Sequence, residues 1–149
     1  MKNTKLIIFI LTSIFSINIH SQNGVDANGK KHGPWQVTVQ GIKVFEGYYN
    51  SGIRDGEFKT YYHGSGKLEN HNNFSNNKLN GIQRAYSETG VLLWKATYTN
   101  GIKTGIETKY YENGNKKAEL TYNSLGKLIG DIKTYNEDGS EINIKITAQ

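Results

Sequence analysis

One periodicity governs this 149-residue chain: Gly33, Gly56, Gly81, Gly105 and Gly130 stand 23, 25, 24 and 25 residues apart. A repeat length of about 20–50 residues marks an array in which each unit leans on its neighbours. The clearest copy runs Gly101-Ile-Lys-Thr-Gly105, continues to Tyr110-Tyr111 and turns again at Glu112-Asn113-Gly114. Gly52-Ile-Arg-Asp-Gly56 leads likewise to Tyr61-Tyr62 and a turn at Gly66. Asn77-Lys-Leu-Asn-Gly81 leads to Tyr86 and Gly90, and Gly126-Lys-Leu-Ile-Gly130 to Tyr135 and Gly139. We therefore expect Gly33, Gly56, Gly81, Gly105 and Gly130 to close turns.

Two aromatic series keep the same register. Tyr61, Tyr86, Tyr110 and Tyr135 each follow a period glycine by five residues. Tyr49, Phe74, Tyr98 and Tyr122 each follow a mid-repeat glycine (Gly41, Gly66, Gly90, Gly114) by eight. The first copy departs, with Thr38 at the tyrosine position and Trp35 nearby, and the last has Ile142, Ile144 and Ile146 in place of the second aromatic. Atypical end units are what a capped array requires.

Each copy predicts a β-hairpin. Glu57–Tyr62 and Leu92–Tyr98 are short, rich in aromatic and β-branched residues, and bounded by glycine turns. Asn100-Gly101 and Asn113-Gly114 supply the positive φ of tight hairpin turns. Glycines leave no apolar 3.6-residue period long enough for a helix beyond the N-terminal stretch. The expected fold class is all-β, an antiparallel meander of about five tandem hairpins. A single hairpin is marginal in water, so the units must stack. Both aromatic series are expected to line one apolar face, since side chains alternate along strands.

Lys2 and Lys5 precede the apolar run Leu6–Leu11, and hydrophobicity continues to Ile19. That pattern predicts a signal peptide over 1–21, helical in its apolar segment, with Gln22 as the mature N-terminus. Residues 22–28 form a polar lead-in, and the repeats occupy 29–51, 52–76, 77–100, 101–125 and 126–146, leaving 147–149 as a tail. The expected location is the periplasm or the outside of the cell. No cysteine is present, so packing alone must hold the fold. Without Lys2 and Lys5, 16 basic residues (18 − 2) face 13 acidic ones, a net charge of +3 with interspersed signs. Nucleic-acid binding leaves a clustered basic patch instead.

The chemistry-bearing residues form no catalytic set. His63 and His71 lie eight apart with no third ligand in sight, so surface histidines are expected rather than a metal site. No Gly-x-Ser-x-Gly elbow, His-Glu-x-x-His or Asp-rich calcium loop occurs. Asp55 and Glu57, with Asn80 and Gln83 or Thr104 and Glu107 in other copies, suggest solvated strand surface. Gly126–Gly130 has the glycines of a phosphate loop but no helix after it. No enzyme activity and no cofactor are expected.

The pattern Gly-x4-Tyr-[Tyr]-x2-Gly, followed by an aromatic and then Asn-Gly-x-x-x-Gly, resembles the MORN repeat. The resemblance is to the bacterial variant form, found in YwqK-type toxin–antitoxin antitoxin proteins, and it covers about residues 29–146. The resemblance implies an elongated β-meander used for protein or membrane contact, and the antitoxin label implies binding of a toxin. Function is accordingly expected to be noncatalytic protein binding or scaffolding in the cell envelope. Tyr61, Tyr86, Tyr110 and Tyr135 are the candidate partner contacts. Two other readings are a lipid-associated array using Lys103, Lys109, Lys116, Lys117 and Lys127, and a carbohydrate-stacking protein.

Overall fold

A computed structural model of the chain describes residues 23–142. The expected signal peptide, Gln22, Ile144, Ile146 and the C-terminal tail lie outside them. Within them the chain is all-β, with no helix. The strands are β1 (Gly24–Val25), β2 (Lys31–Val39), β3 (Ile42–Asn50), β4 (Ile53–Tyr61), β5 (Leu68–Ser75), β6 (Lys78–Leu79), β7 (Gly81–Tyr86), β8 (Leu92–Thr99), β9 (Ile102–Tyr110), β10 (Lys116–Tyr122), β11 (Leu128–Tyr135) and β12 (Glu141–Ile142). They form one open antiparallel meander of 12 strands in chain order, except that the short β6 pairs with β5 outside the path.

Two turn designs connect the strands. Gln40-Gly41, Ser51-Gly52, Asn76-Asn77 and Asn100-Gly101 each have positive φ at both residues and join register partners directly. Their backbone twist matches the twist of the strands they connect. Asp26–Lys30, Ser87–Val91, Tyr111–Asn115, Asn123–Lys127 and Asn136–Ser140 share a second design. In each, the first residue donates its N–H to the carbonyl of the last, and the intervening positive-φ glycine returns an N–H to the carbonyl of the first. The Asp26 and Asn123 side chains also accept two backbone N–H groups each, reinforcing the bend.

The period glycines do have positive φ, from 68° to 91°, but they do not close the hairpins. Gly33, Gly56, Gly105 and Gly130 sit inside strands and Gly81 begins one. Three of them mark bulges: Asp55–Glu57 faces the single residue Tyr48, Gly105–Glu107 faces Ala96, and Gly130–Ile132 faces Leu120. A bulge bends its strand and sharpens the local twist. Across their other hairpin partner the glycines meet the second aromatic series, as Gly33↔Tyr49, Gly56↔Phe74, Gly81↔Tyr98 and Gly105↔Tyr122.

That register corrects the expectation of one apolar face. An aromatic opposite a period glycine shares the glycine's face, whereas a tyrosine five residues beyond it has the opposite parity. Trp35, Phe45, Tyr49, Phe58 and Phe74 pack along one side with centroids 5.1–5.9 Å apart, edge-on except for the tilted Phe45–Phe58 pair. Tyr61 and Tyr135 instead reach Glu46 and Glu119 on the other side. We call these the core face and the tyrosine face.

The core face is centred on the residue two past each of the three middle period glycines, Gly56, Gly81 and Gly105. Phe58 is 4% exposed, Gln83 1% and Glu107 5%, with Ala96 beside Gln83 at 1%. Gln83 and Glu107 are therefore not solvated surface as expected, although Glu57 is exposed. Gln83 does the work of a missing strand ladder. Its amide accepts from the Asn73 N–H at 2.8 Å and donates to the Asn73 and Gly81 carbonyls at 3.1 and 3.0 Å.

Glycine is required here for two separable reasons. At Gly105 an added Cβ would meet nothing within 4 Å, so Gly105→Ala should cost only the left-handed backbone, about 1–2 kcal/mol. Gly47 has ordinary φ, but its Cβ would lie 2.5 Å from the Phe58 ring. Gly47→Ala should cost about 1–3 kcal/mol by overpacking. Urea unfolding of both variants, with Phe58→Leu added to each, checks this: the smaller side chain should relieve the Gly47 change and leave the Gly105 cost unaltered.

Candidate binding surface

On the core face, Glu107 is the focus of a closed network. Its Oε1 accepts the Trp94 indole N–H at 2.6 Å, and its Oε2 accepts Lys103 Nζ at 3.0 Å and the Tyr122 hydroxyl at 2.8 Å. Burial opposes the charge on Glu107, but hydrogen bonds from Trp94, Lys103 and Tyr122 outweigh it, so the carboxyl stays below its ordinary range. Burial also works against the Lys103 ammonium, and Glu107 overrides it to hold the lysine above its ordinary value. The Lys103 Nζ lies 5.0–5.9 Å from the Trp94, Tyr98 and Tyr122 ring centroids. Both carboxylate oxygens are occupied, which makes this group a bracket for the sheet rather than a proton acceptor for a substrate. Lys31 on Trp35 and Tyr49, and Arg54 on Phe74, repeat the cation-over-aromatic contact two residues before a period glycine.

The tyrosine face carries three parallel rows. Its middle row is a continuous register of Gln36, Glu46, Lys59, His71, Arg84, Lys95, Thr108, Glu119 and Lys133 across nine strands. Carboxylates neutralise both ends of it. Glu46 lies 2.8 Å from Lys43 and 3.8 Å from Lys59, Glu57 lies 3.0 Å from Lys59, and Glu119 lies 2.9 Å from Lys116. His71 Nε2 stands 3.3 Å from Glu57 but is buried without a hydrogen bond. Arg84 and Lys95 face each other directly, and neither forms an ion pair among the described residues. Like charges opposed in this way destabilise a sheet by a few tenths to about 1 kcal/mol.

On one flank of this row stand Tyr61, Tyr86, Tyr110 and Tyr135, all half-buried. The Tyr61 hydroxyl donates to Glu46, and the Tyr135 hydroxyl donates to Glu119 at 3.1 Å. Burial and the neighbouring carboxylate push both phenols above their ordinary range. The Tyr86 and Tyr110 hydroxyls have no partner among the described residues, and Lys95 lies 5.9 Å from the Tyr110 centroid. On the other flank Ile82 is paired with Thr97, and Thr121 is paired with both Ile106 and Ile129. These isoleucines are 42%, 55% and 43% exposed. A shallow groove between the rows is lined by Ile82, Lys95, Thr97, Ile106, Thr108 and Glu119.

The structure thus assembles the four expected tyrosines on one face. The lysines considered for a membrane surface are dispersed: Lys103 is enclosed on the core face and Lys116 is paired with Glu119. His63 is exposed, and His71 is half-buried rather than on the surface. Among the described residues no three His, Asp or Glu side chains converge as metal ligands. Sequence reasoning missed Arg84, Lys95, Ile82 and Ile106. A signal for them existed, because Ile82 and Ile106 each follow a period glycine by one residue and Lys59, Arg84 and Lys133 by three. No protein-family model matches the chain, and comparison with curated proteins finds no match.

Proposed function

We propose that the chain is an exported, noncatalytic binding or scaffold protein of the cell envelope. In this reading it is an elongated array of about five MORN-like hairpin repeats whose tyrosine face captures a protein partner. The supporting observation is the line of exposed isoleucines, Ile82, Ile106 and Ile129, on the same face as the four half-buried tyrosines. From β7 to β11 that line crosses four strand spacings, about 19 Å. Isoleucine held in water at this exposure contributes little to the fold and is energetically available to a partner. Rigid tyrosines beside it add contact area at small entropic cost.

Capture from envelope extract tests the proposal. The unaltered protein should retain a partner that Ile82→Lys with Ile106→Lys loses, while the two melt at the same temperature. Equal capture by both would remove this face from consideration. Binding only to lipid, with no protein retained, would replace the reading with the membrane one.

A further inference from the structure

Resting on that reading, we propose that Arg84 and Lys95 form the docking point for the carboxylates of an acidic protein segment, whose apolar side chains rest on Ile82 and Ile106. The two cations are register partners on adjacent strands, and neither has a counter-ion among the described residues. Lys59 and His71 in the same row, and Lys43 on the same face, have a carboxylate within 4 Å, and Lys133 has Glu119 as its register partner, so Arg84 and Lys95 are the two cations of the row with no carboxylate beside them. An incoming carboxylate supplies the missing counter-charge and gains charge-assisted hydrogen bonds. The planar Arg84 guanidinium can grip it through two parallel N–H donors.

The surroundings select the ligand class. Glu46 and Glu57 lie to one side of the pair along the row and Glu119 to the other. A long polyanion such as a nucleic acid, or a flat anionic membrane, would press phosphates against those carboxylates. A local carboxylate on a peptide avoids them. Lys95 also shares its groove with Ile82 and Ile106, which suits a segment mixing acidic and apolar side chains. Tyr86, partnered across β7 and β8 with Leu92, and Tyr110, beneath Lys95, close the other side.

The probe is an end-blocked octapeptide of alternating Glu and Leu, titrated into the isotopically labelled protein and followed by backbone amide shifts. The same peptide with Gln for Glu, and phosphatidylglycerol vesicles, are the comparisons. We expect the Glu peptide to move the amides around Arg84, Lys95 and Ile106. It should bind at least tenfold more tightly than the Gln peptide. Arg84→Gln with Lys95→Gln should abolish that tenfold preference without lowering the melting temperature. Equal binding of the two peptides, or no binding of either, overturns the proposal. So does dependence on Arg84 and Lys95 that is seen only with vesicles. The two proposals fail separately. Capture from extract that survives the Arg84 and Lys95 changes but not Ile82→Lys with Ile106→Lys removes the acidic docking point and leaves protein binding standing. Capture unaffected by either pair removes both.

Discussion

Glu107→Ala should destabilise the protein by about 3 kcal/mol, a large share of the total stability of a domain this size. The change deletes one carboxylate and strands three donors, the Trp94 indole, the Tyr122 hydroxyl and the Lys103 ammonium. Each buried donor left without an acceptor costs about 1–3 kcal/mol. Lys103 recovers part of its share because its flexible stem can carry the ammonium out to water. Glu107→Gln keeps the shape and one acceptor oxygen but loses the charge, so it should fall between the native protein and alanine. Urea unfolding at neutral pH measures both. The same network sets an acid limit. The Glu107 carboxyl titrates lower in the folded chain than in the unfolded one, so its contribution is present above the ordinary carboxylate range. That contribution is lost as the pH falls through the lower folded value. Glu107→Gln should remove this part of the acid dependence.

Phe58→Ala should cost about 3–5 kcal/mol, the usual range for deleting a buried aromatic. Phe58 is 4% exposed and its ring meets those of Phe45, Tyr49 and Phe74 at 5.8, 5.2 and 5.1 Å. The Phe58 ring also covers the backbone of Gly47, so its loss opens a cavity that a neighbouring Cβ does not fill. Thermal unfolding checks the magnitude. The damage should concentrate in β3 to β5, and amide exchange there should quicken more than in β9 and β10. That follows because the bracket at Glu107 is independent of the aromatic cluster.

The glycine period was enough to read the strands and their antiparallel order, because positive-φ positions and short alternating runs are local properties. The assignment of faces was not. It depends on which residue stands opposite each glycine, a cross-strand register that no single segment of the chain displays. Tyr61 and Phe74 look alike in the sequence, yet five residues of odd parity separate the first from the glycine that the second faces. Gln83 and Glu107 look like surface polar residues until their partners are known. Asn73, Trp94 and Tyr122 are brought to them from other strands of the sheet, and only Lys103 comes from the same strand as its partner, Glu107. The Arg84–Lys95 pair is equally a product of cross-strand register.

The proposed function divides the two faces: the glycine-paired aromatics hold the sheet, and the tyrosine face is proposed to recognise a partner. Tyr86→Ser combined with Tyr110→Ser tests this division most directly, because neither hydroxyl is engaged among the described residues and both rings lie away from Phe58 and Glu107. The doubly substituted protein should melt cooperatively and close to the unaltered one, yet fail to retain the protein that the unaltered one is expected to capture from envelope extract. Loss of the folded state would contradict the account and make the tyrosine column part of the core.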